Sequence, residues 1–148
     1  QQVTITNNTR IEAESYCSML GMEAEETGDS SGGSNLGYIN NGDYAVYDIN
    51  LPNDGLYKVS YRVASKTDTG SLRLEKAGGT ETYGELSVPN TGDWQTWQTI
   101  SHNVELKAGV QEIALEIVPE MERKDQNHKL LLLLPPLILL VRYFSPLL

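Results

Sequence analysis

The chain has 148 residues, enough for one domain that buries a core without disulfide staples, and its one cysteine, Cys17, excludes an internal disulfide. A formal net charge of −9 argues against nucleic acid, whose phosphates need a basic stripe, and against anionic membrane surfaces. Surplus carboxylates suit a hard cation such as calcium. No secretory leader is recognisable at Gln1, which fits a cytosolic protein or a piece of a larger, processed one. Cys17 is read as a small hydrophobe, its burial left open.

Residues 1–10 are polar and read as a leader or linker. Ile11-Glu12-Ala13-Glu14 alternates with period two, as a short strand does, which puts both glutamates on one face. Two carboxylates that close repel each other unless a cation or a proton lies between them. Calcium is the functional reading, and a solvated strand face is preferred on spacing alone. As i,i+2 neighbours on one strand they cannot straddle a glycosidic bond as a hydrolase requires. Residues 23–34 are acidic, then rich in Gly and Ser, which is loop composition.

Gly37-Tyr38-Ile39 and residues 43–50 read as strands separated by the turn signal Asn40-Asn41-Gly42. The clearest strand is 55–65, where Tyr57, Val59, Tyr61 and Val63 alternate with Lys58, Ser60 and Arg62, predicting one buried and one wet face. Residues 71–76 alternate likewise, with Leu72 and Leu74 inward, and Ala77-Gly78-Gly79 turns the chain into 82–88.

Thr91-Gly92-Asp93-Trp94-Gln95-Thr96-Trp97 then brings the chain's two tryptophans close together. Trp94 follows Pro89, Asn90 and Gly92, where a loop enters a strand, so residue type leaves exposure and burial equally open. An exposed indole there offers a flat apolar face on which the CH face of a sugar stacks. Trp97 falls inside a strand expected over 96–106 and is expected in the core. The next strand, 110–118, follows the turn Lys107-Ala108-Gly109, and its Ile113, Leu115 and Ile117 alternate with Glu112 and Glu116. Up to Val118 no helical period occurs and strand-length runs recur between turns. That pattern predicts an all-β, antiparallel β-sandwich of jelly-roll type over 11–118.

After Val118 the character changes. Residues 121–129 are mostly charged or polar, and 130–148 are dominated by leucine around Pro135-Pro136. The apolar run is about half the roughly 20 residues that span a bilayer, and the prolines break a helix there. The segment 119–148 is therefore set apart as an aberrant tail.

Several motifs in order resemble the family 6 carbohydrate-binding modules: Ile11-Glu12-Ala13-Glu14, Asn35-Leu36-Gly37-Tyr38-Ile39, Gly42-Asp43-Tyr44, Tyr61-Arg62-Val63-Ala64-Ser65 and the stretch 91–97. These are non-catalytic β-sandwich domains attached to polysaccharide-degrading enzymes, and the resemblance runs from about Ile11 to Val118. It implies a sugar ring clamped between Tyr38 and Trp94, each face worth about 1–3 kcal/mol by analogy with base stacking, and binding near the millimolar-to-micromolar range. It implies that Glu25 accepts hydrogen bonds from sugar hydroxyls, and that Tyr44 stands where some members carry the tryptophan of a second sugar site. A structural calcium ion held by Glu12, Glu14 and a loop carbonyl near Ser34 is also implied, with further oxygens needed to reach about 6–8.

The resemblance further implies a secreted, extracellular module that keeps an attached glycoside hydrolase near β-glucan, xylan or agarose-type galactan by raising its effective concentration. It implies no catalysis. The alternatives are a small calcium-dependent polysaccharide hydrolase or lyase, and a membrane-tethered adhesion domain using 130–148. Against the first, the sandwich offers only His102, within a strand, and no obvious opposed carboxylate pair; His128 lies in the tail.

The departure is at the carboxyl end. The family's last strand carries a Trp-Asn or Phe-Asn step, whose asparagine bonds the sugar and whose successor helps to hold calcium. This chain has Glu120-Met121-Glu122-Arg123 there. A reading frame displaced by one base accounts for it, because ATG followed by a glutamate codon then reads TGG, tryptophan. Loss of the usual strand is expected to leave a sheet with unpaired edges.

Overall fold

Period-two alternation with β-branched and aromatic residues on one face is what a sheet buries against a second sheet, and the strands follow from it. The computed structural model describes residues 2–6, 8–30, 32–66, 70–118 and the strand 137–147. The strands are β1 (Val3–Thr4), β2 (Thr9–Glu12), β3 (Ser18–Leu20), β4 (Glu23–Glu26), β5 (Ser34–Ile39) and β6 (Tyr44–Leu51), followed by β7 (Gly55–Ala64), β8 (Ser71–Lys76), β9 (Thr82–Ser87), β10 (Gln98–Leu106), β11 (Gly109–Val118) and β12 (Leu137–Leu147). One sheet runs β1-β6-β11-β8-β9, with β3 also on β6; the other runs β10-β7-β12-β5-β4, with β2 also on β12. All pairings are antiparallel except β1 on β6. The expected all-β sandwich is observed.

Its core is filled by the residues that alternation singles out. Tyr57, Val59, Tyr61 and Val63 of β7 are buried, as are Leu72, Leu74, Ile113, Leu115 and Ile117. Tyrosine hydroxyls cannot be buried unbonded without cost. Tyr47 donates to the Ala13 carbonyl at 2.6 Å, Tyr57 donates to that of Asn53 at 2.6 Å, and the Tyr61 hydroxyl pairs with His102 Nε2 at 2.8 Å.

Four boundaries differ from expectation. The supposed leader is part of the fold, because Val3 and Ile5 alternate about Thr4: β1 adds to β6, and Ile5 is fully buried. Residues 23–26, read as loop, form β4 on the edge of β5. The strand read as 11–14 ends at Glu12, where a turn is closed by the Ser15 N–H on the Glu12 carbonyl. Finally, the leucine-rich tail supplies β12, which lies between β7 and β5 and also pairs with β2. The sheet therefore has no missing strand at its centre. Glu120-Met121-Glu122-Arg123 and His128 lie outside the described residues, so the displaced frame remains a reading of the sequence.

Registers define the end of the sandwich that matters below. Leu137 pairs with Ile39, Ile138 with Ala64, and Gln98 with Val63. The end of β5, the end of β7 and the start of β10 are thus neighbours.

Candidate functional site

Tyr38 projects at this end because β5 is bulged. On β12, Leu137 and Leu139 answer Ile39 and Leu36, so three steps of β5 match two of its partner. Asn35, Leu36, Gly37 and Ile39 are buried, whereas Tyr38 is 57% exposed. The bulge holds Tyr38 at φ 58°. For a residue with a side chain that left-handed conformation costs roughly 1–2 kcal/mol, and such strain persists where surrounding structure imposes it, often at ligand sites. Beside it, a Cβ on Gly37 would lie 2.9 Å from Glu25 Oε1, so only glycine lets the carboxylate settle there. Glu25, half-buried on β4, also accepts a hydrogen bond from Asn35 Nδ2 at 3.0 Å. Glu25 and the Tyr38 backbone are thereby brought together.

Trp94 sits in the loop entering β10 and is half-buried. Its N–H donates to Asp93 Oδ1 at 2.8 Å, and the Gly92 N–H donates to Asn90 Oδ1 at 2.8 Å. Thr91 pins the loop to the end of β7: its N–H donates to the Ser65 carbonyl at 2.7 Å, and its Oγ1 accepts from the Ser65 N–H at 2.9 Å. Trp97 departs from expectation. It precedes β10 and is half-buried outside the core cluster, because its indole N–H finds a partner at the surface, Gln95 Oε1 at 3.2 Å.

The β4–β5 loop ties the two halves of the site. Arg62, read as a solvated residue of β7, grips Asp29 through two bonds of 3.0 and 3.1 Å, and the Asp29 side chain is only 8% exposed. The Gly28 N–H donates to Gln95 Oε1 at 2.6 Å. Sequence reasoning missed Asp29, Arg62, Thr91 and Gln95. An arginine on the wet face of a strand in an acidic chain was the one available signal.

Tyr44 stands elsewhere. Half-buried at the start of β6, it opens a groove on the outer face of the other sheet with Ser18, Val46, Glu75, Glu112 and Glu116. Glu75 is 5% exposed there. Burial, then the hydrogen bond and charge of Glu116, push its carboxyl up to about 7, against the opposing pull of Arg73. Cys17, whose burial the sequence left open, is exposed: its Sγ lies 3.4 Å from the Val46 carbonyl and 3.7 Å from Glu112 Oε2.

The expected calcium donors are hard oxygens, the class that calcium takes, and so fit in kind. Glu12 is already engaged by Arg10 Nε at 2.9 Å, Glu14 lies in the following turn with its Oε2 buried, and Ser34 opens β5. Among the described residues no group of three or more His, Cys, Asp or Glu side chains gathers for a metal. The donors fall short of a full shell in number.

His102 has a packing role. A Cβ on Gly84 would lie 3.2 Å from its ring, so β9 and β10 close over it, and burial lowers its pKa.

Comparison with known proteins agrees with the β-sandwich fold. The family model for carbohydrate binding module (family 6) matches residues 12–125. The clotting factor G alpha subunit of Tachypleus tridentatus is 40% identical over 108 residues, 72% of this chain and 16% of that protein. Endo-1,4-beta-xylanase A of Thermoclostridium stercorarium is 35% identical over 116 residues, 74% of this chain and 18% of the enzyme. The chain thus spans less than a fifth of either relative. A β-1,3-glucan-binding family 6 module from Bacillus halodurans superposes with a TM-score of 0.79 at 31% identity, covering 95% of this chain and 98% of that one.

Proposed function

The chain belongs to family 6 of the carbohydrate-binding modules, and on that premise we propose that it holds one sugar ring of a β-glucan between Tyr38 and Trp94, with Glu25 accepting a hydroxyl hydrogen bond. The module is non-catalytic. The observation that carries the proposal is the outward, left-handed Tyr38 beside Glu25, an exposed aromatic kept in a costly conformation. Among β-glucans the β-1,3-linked class is favoured, through the likeness to the Bacillus halodurans module. Xylan is the next candidate, through the likeness to the xylanase.

A catalytic domain in the same parent chain and an extracellular setting follow from the same kinship as parts of the proposal. Tethering would then raise the enzyme's effective concentration at an insoluble substrate. Calcium on Glu12, Glu14 and the Ser34 carbonyl would fasten the turn after β2, and Tyr44 would serve a second, weaker sugar site on the opposite sheet.

Affinity electrophoresis through laminarin, barley β-glucan, xylan and agarose tests the main reading, with Trp94→Ala and Tyr38→Ala beside the wild type. Retardation by laminarin that both variants lose is the expected result. Retardation that survives both substitutions would move the site elsewhere, with Tyr44 the next residue to change.

A further inference from the structure

Gln95 Oε1 accepts two hydrogen bonds from different segments: the Gly28 N–H at 2.6 Å and the Trp97 indole N–H at 3.2 Å. The first comes from the loop that joins Glu25 to the Tyr38 strand, and Gln95 is the residue after Trp94. One carbonyl oxygen therefore joins the β4–β5 loop, which leads into the Tyr38 strand, to the loop that carries Trp94. Each segment is also anchored to the end of β7, the β4–β5 loop by Arg62 on Asp29 and the Trp94 loop by Thr91 on Ser65. To those anchors at the end of β7, Gln95 adds a direct bond from one segment to the other. Contact is close: a Cβ on Gly28 would lie 3.0 Å from the same oxygen.

We propose that Gln95 is a positioning residue for sugar binding, a latch whose Oε1 sets the spacing of the Tyr38 and Trp94 segments before ligand arrives. The inference rests on the sugar clamp proposed above. Its physical basis is preorganisation: a cleft held at the bound spacing avoids the ordering cost that a loose one meets on binding. What the latch needs is an acceptor, and it needs no donor. Gln95→Glu keeps the acceptor and strengthens it with charge, whereas Gln95→Leu keeps the approximate shape and removes it.

The test has two readouts. In laminarin affinity electrophoresis, Gln95→Leu is expected to weaken binding about tenfold, the worth of one or two net hydrogen bonds, and Gln95→Glu to restore most of it. Gly28→Ala, which crowds the oxygen from the other side, is expected to weaken binding without altering Gln95. The second readout needs no sugar: the Trp97 indole N–H resonance in a 15N-resolved spectrum should move in Gln95→Leu and return in Gln95→Glu. Equal affinity in Leu, Glu and wild type overturns the latch, as does an indole resonance indifferent to residue 95. A moved and restored indole resonance in a wild type that no glucan retards would place the failure in the sugar reading and overturn the latch as a binding device.

Discussion

Replacing Tyr38 separates what the residue does for the ligand from what it costs the fold. Tyr38→Ala and Tyr38→Gly both delete the ring, and each should lower sugar affinity by about 1–3 kcal/mol, roughly 5- to 150-fold. Their effects on stability should diverge. At φ 58° an alanine still bears the left-handed penalty of roughly 1–2 kcal/mol, whereas glycine does not. Glycine returns about 0.5–1 kcal/mol through its freer unfolded chain. The side chain is 57% exposed, and the loss of its remaining contacts is common to both variants, so it cancels in the comparison. Tyr38→Gly should therefore be more stable than Tyr38→Ala by up to about 1.5 kcal/mol, a few degrees in Tm for a domain of this size. Paired thermal melts and laminarin electrophoresis read both quantities. If the alanine variant melts above the glycine variant, the left-handed backbone is not strained and the argument from it fails.

Glu75 gives a pH signature. Its carboxyl is raised from 4.5 to about 7, so its contribution to stability is full below the unfolded value and is lost as pH rises through 7. Glu75→Gln should flatten the fall in unfolding free energy between pH 5 and 8, by at most about 3 kcal/mol in urea titrations at each pH; a variant whose profile parallels the wild type would contradict this. Arg62→Met removes both bonds to the nearly buried Asp29 and should destabilise by about 2 kcal/mol in urea titration. It should weaken glucan binding as well, because the β4–β5 loop loses its anchor. For calcium, adding the ion at 100 times its Kd should stabilise by about 2.7 kcal/mol, reversed by EDTA and absent in Glu12→Gln; melts unaffected by either reagent would exclude a structural ion.

The parts of the fold legible in the sequence are those where one strand's pattern suffices. Tyr57, Val59, Tyr61 and Val63 declare a buried face, and they are buried. β12 was not legible, since a leucine-rich run says nothing of which strand edges await it. The site was half legible. Strict alternation would place Leu36 and Tyr38 on one face, and the bulge turns one inward and the other outward. Trp97 was misjudged because residue size predicts burial, while a partner two residues away, Gln95, holds its N–H at the surface. The latch itself depends on a contact across 67 residues of chain, which no local pattern encodes.

The place of β12 has a consequence for how the molecule comes to fold. The last described strand in the chain is interior to its sheet, with β7 on one side and β5 and β2 on the other. During synthesis, β2, β5 and β7 all emerge before the strand that joins them, so until it docks they present unpaired edges. Contacts this remote in sequence are entropically slow to close. The other sheet can assemble earlier, from strands ending at Val118. Since Leu137 and Leu139 pair across the bulge that turns Tyr38 outward, the aromatic face is among the last features to form, and refolding followed through glucan binding should lag refolding followed through backbone circular dichroism.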